Sequence, residues 1–242
     1  LNRVVEGIDT WESDSEPRAT MVYNMNTAAR IVVRDSSFSN SMRYALYIKA
    51  PFAMIFNNRF EGLSSPPIFA ANEPEWPEGP PAGHLWIQGN TFIKNNQSYM
   101  SRYRDFLNVD PACISVYTRR FRSPDAPDDY RAYITGGQYA NSHVKIIGNR
   151  FVNWRGLGIS VRNSHNVQIF DNWFGQCLDD EFMRSTLAKD PQLVNKDGMG
   201  RFAAIYLCSV SGVQIQNNNF DNIADSDLRV SVSINPKKTD EK

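Results

Sequence analysis

The sequence carries no excess charge of either sign: 26 basic residues meet 26 acidic ones, for a formal net charge of zero. A chain without surplus positive charge lacks the broad field of a general nucleic-acid binder, so no nucleic-acid partner is expected. Long hydrophobic runs are missing too. None approaches the roughly 18 apolar residues of a membrane helix, and no membrane span is expected. Cysteine is scarce: Cys113, Cys177 and Cys208 cannot all pair within one chain and show no Cys-x-x-Cys spacing. That speaks against a disulfide framework and a zinc knuckle. His84, His143 and His165 stand far apart without metal-ligand spacing, and His84 and His143 each precede a repeated strand, which marks a repeat position rather than a site. No Gly-x-Ser-x-Gly, phosphate loop or dinucleotide fingerprint appears. Neither a metal nor a cofactor is expected. The chain opens at Leu1 with neither initiator Met nor signal peptide, so it reads as a processed chain or part of a longer one.

The 242 residues give room for one large domain or two small ones. With 41% hydrophobic and 21% charged residues the composition is that of a globular chain, not a disordered one. One phrase recurs: an apolar residue, a gap, Ile, two residues, Asn, one residue, Phe. It runs from Ala53 to Phe60, Leu85 to Phe92, Val144 to Phe151, Val167 to Phe174 and Val213 to Phe220. Ile31 to Phe38 is a weaker copy with Ser36 in the Asn slot. A second short alternating strand follows each copy, with the pairs Leu46/Ile48, Ile68/Ala70, Ile114/Val116, Ile159/Val161, Ile205/Leu207 and Val230/Val232.

Two period-2 strands per repeat of about 22 residues, with Asn at the corner, predict an all-β fold. The expected form is a right-handed parallel β-helix, a single-stranded solenoid of about six coils of about 22 residues with long loop insertions. Asn suits the bend because it tolerates the left-handed backbone region, and an Asn ladder can hydrogen-bond from coil to coil. The recurrent Phe is expected to fill the interior. The chain then divides into residues 1–29, an incomplete N-terminal coil or loop, residues 30–235, the β-helix domain, and residues 236–242, a polar tail.

Function on a repeat protein sits on its loops and on one exposed face. Four insertions break the period. One runs from Asn72 to Pro81, one follows Phe92 through Tyr99 to Asp105, one follows Val116 with Arg119-Arg120-Phe121-Arg122, and one follows Phe174 from Asp179-Asp180-Glu181 to Arg201. The first and third leave from the same corner and are expected to wall a cleft. The acidic run reads as an exposed loop or helix start and the arginine run as solvated loop charge. Outward positions of the second strands form one column of Tyr47, Phe69, Ser115, Ser160 and Tyr206. A second column holds Lys49, Ala71, Tyr117, Arg162 and Cys208. Rings that stack on sugar faces, interleaved with cations and hydroxyls, suit a carbohydrate. Tyr47, Lys49, Tyr117, Arg162 and the loop residue Trp76 are therefore the expected sugar contacts.

The first insertion is the most chemical stretch. Glu73, Glu75 and Glu78 crowd around Trp76, stiffened by Pro74, Pro77, Pro80 and Pro81. Crowded carboxylates repel and a nearby ring desolvates them, which raises the pKa of at least one. A general acid for glycosidic cleavage is made this way. Glu78 is the first candidate for catalysis and Glu75 the second.

On these residues the run from Asn24 to Phe174 resembles the C-terminal half of the β-helix in family-110 glycoside hydrolases, the bacterial exo-acting α-1,3-galactosidases. The shared features are strands ending Asn-x-Phe, a Trp-x-Glu loop at Trp76-Pro77-Glu78, and the strand Ile114-Ser115-Val116-Tyr117. The family's Asp-Asp segment ahead of this region has no counterpart here. The resemblance places essential carboxylates before Leu1, or implies their loss. It implies a glycoside hydrolase that cleaves terminal α-galactoside-like linkages, and a secreted, periplasmic or cell-surface location. A polysaccharide lyase of the same fold, including relatives of the pectate lyases, and a non-catalytic glycan-binding or adhesin module are the alternatives. In each case the partner is a glycan or polysaccharide.

Overall fold

The computed structural model describes residues 29–72, 81–96, 112–118, 141–176, 203–223 and 226–233. The first repeat gives β1 (Arg30–Arg34), β2 (Ser37–Ser39) and β3 (Leu46–Ile48). The second gives β4 (Phe52–Phe56), β5 (Arg59–Glu61) and β6 (Ile68–Asn72), and the third β7 (His84–Gln88), β8 (Thr91–Ile93) and β9 (Ala112–Thr118). From the fourth come β10 (Asn141–Ile147) and β11 (Arg150–Val152). The long β12 (Leu157–Phe170) closes that repeat and opens the fifth, which continues in β13 (Trp173–Gly175). In the same way β14 (Ala203–Gln216) opens the sixth, followed by β15 (Asn219–Phe220), the four-residue helix α1 (Ser226–Arg229) and β16 (Val230–Ser233). Of the expected division, residues 1–28 and 236–242 lie outside the described residues.

Among the described residues every strand pairing is parallel. The strands fall into two sheets, which corrects the expectation of a single-stranded right-handed β-helix. One sheet has ten strands, in the order β1-β4-β7-β10-β12-β9-β6-β3 with β14 beside β12 and β16 beside β14. The other has six, in the order β15-β13-β11-β8-β5-β2. The repeat of about 22 residues holds where no insertion intervenes, with Ser36 and Asn58 22 apart and Asn149 and Asn172 23 apart, and the insertions lengthen it elsewhere. Asn58, Asn90, Asn149, Asn172 and Asn218 follow one another at 32, 59, 23 and 46 residues. What overturns the single solenoid is the corner itself: within each copy of the phrase, at the Asn, the chain leaves the ten-stranded sheet and enters the six-stranded one.

The ten-stranded sheet has two wings, joined because β12 and β14 each run through both. The opening wing holds β1, β4, β7, β10 and the second halves of β12 and β14. The insertion wing holds β3, β6, β9, the first halves of β12 and β14, and β16. All four insertions begin or end at a strand of the insertion wing: residues 73–80 follow β6, 119–140 follow β9, 97–111 precede β9 and 177–202 precede β14.

The corner separates two jobs that the sequence reading gave to one residue. The left-handed conformation falls one place before the recurrent Asn, on Asp35, Asn57, Gly89, Gly148, Asp171 and Asn217, with φ between 52° and 64°. Gly, Asn and Asp are the residues that accept this region at least cost. The recurrent Asn makes the ladder instead. Asn149 Oδ1 accepts from both the backbone N–H and the Nδ2 of Asn90, each at 3.0 Å. Its own Nδ2 faces Ile87 O at 3.0 Å, Ile147 O at 3.2 Å and Asn172 Oδ1 at 3.0 Å. The pattern recurs from Asn58 to Asn90 and from Asn172 to Asn218. Buried corner carbonyls that a sheet ladder would leave orphaned are satisfied in this way. At Ser36 the side chain is too short for the rung, and its Oγ donates to Arg34 O of its own repeat.

Two residues after each ladder position stands a Phe. Phe38, Phe60, Phe92, Phe151, Phe174 and Phe220 form one stack with centroid spacings of 4.6 to 5.3 Å and interplanar angles of 6° to 10°. In-register parallel pairing imposes that near-parallel arrangement, because equivalent residues sit one strand spacing apart. Trp154 meets Phe151 and Phe174 edge-on. Ile55, Ile87, Val144, Ile146, Val167, Ile169, Ile114, Val116, Ile159 and Val161 complete the interior, all without exposed surface. Gly158 lies against this core: a Cβ there would sit 2.5 Å from Ala204 O and 2.8 Å from the Phe174 ring.

Candidate functional site

The insertion wing brings together the residues the sequence placed in columns. The register pairs Tyr47 with Phe69, Phe69 with Ser115, Ser115 with Ser160 and Ser160 with Tyr206. In the next column Ala71 pairs with Tyr117 and Arg162 with Cys208. Period-2 alternation against an apolar interior turns Tyr47, Phe69, Ser115, Ser160, Tyr206, Ala71, Arg162 and Cys208 outward, since Ile114, Val116, Ile159 and Val161 occupy the inward slots.

Outward does not mean open. Phe69 is 0% exposed, Tyr206 1% and Arg162 6%, whereas Tyr47 keeps 37% of its surface. Tyr44 completes an aromatic cluster with Tyr47 at 5.2 Å and Phe69 at 4.8 Å, and Tyr47 and Phe69 stack at 5.0 Å. Lys49 Nζ lies 4.5 Å from the centre of the Tyr47 ring, a cation–π contact. At the other end of the wing the Arg162 guanidinium lies 5.2 Å from the Tyr206 ring. Between the two groups stand the buried Ser115 and Ser160.

Arg162 is fixed by the passage of β12 from one wing to the other. Its carbonyl accepts from Ser164 Oγ at 2.7 Å and from Asn141 Nδ2 at 3.4 Å, and Asn163 and Asn166 just beyond take positive φ. The paired ends of β6 and β9, Asn72 and Thr118, set the first and third insertions off from neighbouring positions. Glu73, Glu75, Trp76 and Glu78 follow Asn72 in sequence and lie outside the described residues, as do Arg119 to Arg122 and Asp179 to Glu181. Tyr117 is placed by its backbone within β9.

Among the described residues no group of three His, Cys, Asp or Glu is gathered as a metal site, and no helix is long and apolar enough to cross a membrane. Cys113 is a buried thiol held well above its ordinary pKa by desolvation, and Asn96 Nδ2 donates to its Sγ at 3.8 Å. A thiol in that state is a core residue, not a nucleophile.

No protein-family model, curated protein or solved structure matches this chain. The resemblance to family-110 glycoside hydrolases rests on the quoted residues alone.

Sequence reasoning missed Tyr44 and the outward face of the opening wing. The signal for the second lay in the recurrent phrase, in the positions between its inward residues. There Val32, Met54 and Trp86 stand in register and exposed.

Proposed function

We propose that this protein is carbohydrate-active, a glycoside hydrolase acting on terminal α-galactoside-like linkages at the insertion wing. The observation that supports the reading is the pairing of rings with cations there, Lys49 over Tyr47 and Arg162 over Tyr206, on the wing where all four insertions join. A ring offers a flat apolar face to sugar C–H groups while a neighbouring cation donates to hydroxyl oxygens. Tyr47, 37% exposed, is the accessible member of the set, and the buried Lys49 Nζ backs its ring. Trp76 and Tyr117 extend it, and Arg162 orients the far end. Glu78 protonates the leaving oxygen and Glu75 is the second carboxyl. Inverting hydrolysis places the two about 6.5–9.5 Å apart with the attacking water between them.

A second reading has one observation in its favour: among the described residues no carboxylate stands at an outward strand position of this wing. On that reading the wing binds glycan without cleaving it. Galactose release from α-galactosides, by the chain and by its Glu78→Gln and Glu75→Gln variants, separates the two. Release by the parent that Glu78→Gln abolishes supports hydrolysis. Equal release by that variant removes Glu78 from the mechanism. Glycan binding with no release moves the assignment to an adhesin-like module, and unsaturated ultraviolet-absorbing products to a lyase.

A further inference from the structure

The outward face of the opening wing carries a different chemistry, independent of the reading above. Phe52 and His84 stack at 5.1 Å with an interplanar angle of 7°, and His84 and His143 at 4.6 Å and 28°. The Arg30 guanidinium closes one end, 5.2 Å from the Phe52 ring. Rings stacked this way cover one another's faces and leave their edges to solvent. For His84 and His143, both exposed, the edges carry the ring nitrogens. In the adjacent column Trp86, 41% exposed, pairs with Lys145, whose Nζ lies 5.8 Å from the indole centre. Gln168 follows in register with Lys145. Among the described residues no Asp or Glu occupies an outward strand position of this wing, and Asp35 and Asp171 stand at the corners beside it.

We propose that this face binds a linear sulfated polysaccharide. Groups repeated at one strand spacing across the sheet match a polymer with a regular repeat lying perpendicular to the strands. Cations without carboxylates among them select an anionic polymer. The donors then choose the anion. A carboxylate gains most from the planar fork of an arginine. Here Arg30 is drawn over Phe52, and Arg34 Nε lies 3.8 Å from Asp35 Oδ2. Both arginines lie on the end strand β1, and across β7, β10 and β12 the donors are imidazole, ammonium and amide, which donate singly and from several directions, as the tetrahedral oxygens of a sulfate ester accept. Trp86 covers a C–H face of the sugar between successive sulfates.

The test is retention of the full chain by dextran sulfate, neutral dextran, polygalacturonate and poly(dT), each at low and at high salt. The expected result is binding to dextran sulfate that weakens as salt rises, with no retention by dextran. Lys145→Gln weakens dextran sulfate binding about tenfold through a lost charge-assisted contact, and the His84→Gln/His143→Gln pair about tenfold through lost ring-edge donors, each with an unchanged unfolding midpoint. No retention by dextran sulfate overturns the proposal, and so does parent-like binding by both variants. Polygalacturonate or poly(dT) bound as tightly as dextran sulfate overturns the choice of sulfate. None of these readings depends on whether galactose is released, so the proposal stands or falls apart from the hydrolase reading.

Discussion

The Asn–Phe corner and the outward face of the insertion wing belong to the same repeats and behave in opposite ways. At the corner the same two side chains return in five successive repeats, and each contact is to the equivalent residue one strand away. On the insertion wing one register column changes chemistry twice in four steps, from the rings of Tyr47 and Phe69 to the hydroxyls of Ser115 and Ser160 and back to a ring at Tyr206. A buried ladder works only if each rung fits the next, so packing allows little variation there. An outward column has no such rung-to-rung fit to keep, and in this one Tyr47 holds the open surface while Phe69, Ser115, Ser160 and Tyr206 are buried.

Breaking the corner is therefore expected to have the largest effect. Phe151→Ala opens a cavity between Phe92, at 4.8 Å, and Phe174, at 4.6 Å, and under Trp154. A loss of about 4 kcal/mol is expected in denaturant unfolding. A loss below about 1 kcal/mol would show that the stack does not bear on stability.

Asn149→Ala comes next. It strips the acceptor from the Asn90 backbone N–H and leaves buried carbonyls at Ile87 and Ile147 without this donor. About 3 kcal/mol is expected from groups left unsatisfied in the interior. Ser36→Ala serves as the internal control. Its Oγ bonds only Arg34 O in an exposed place, and a change within about 0.5 kcal/mol is expected. Equal losses at the two sites would remove the ladder from the account of stability.

A smaller effect concerns pH. Burial holds the Cys113 thiol well above its ordinary value, so above about pH 8.5 the unfolded chain loses this proton while the folded one keeps it. The contribution is complete below the unfolded value and is lost as pH rises toward the folded one, at about 1.4 kcal/mol per pH unit. Tyr and Lys side chains titrate in the same range, so the observable is the difference between the chain and Cys113→Ala. The variant should show a shallower decline in urea midpoint above that pH. Parallel declines would mean that the thiol ionises equally in both states.

The corner was legible in the sequence because buried positions repeat: Ile, Asn and Phe at fixed offsets marked the bend and the inward faces. The division into two sheets was not. The phrase reads as one unit, and the residue that turns the chain is Asp, Asn or Gly in different repeats, so no single letter marks it. The columns of the candidate site were legible as well, since alternation alone puts Tyr47, Phe69, Ser115, Ser160 and Tyr206 on one side. Their burial was not, because period-2 alternation distinguishes inside from outside only with respect to a single sheet. The exposed strip of the opening wing escaped for another reason. Val32, Met54 and Trp86 fall on the gap of the recurrent phrase, which marks the inward residues and leaves the outward ones unread.

Trp86→Ala tests that last distinction and is expected to have a small effect on stability. Leu85 and Ile87 on either side of Trp86 point inward and are buried, while the indole lies outward beside Lys145. Truncating it leaves the Phe stack and the Asn ladder untouched, so the unfolding midpoint should move by less than the equivalent of about 1 kcal/mol. Dextran sulfate binding should fall in the same variant. A large loss of stability instead would mean that Trp86 is a packing residue of the fold, and the difference between the two faces of the opening wing would disappear. A small loss together with weakened binding would show that one strand, β7, carries structure on one face and recognition on the other.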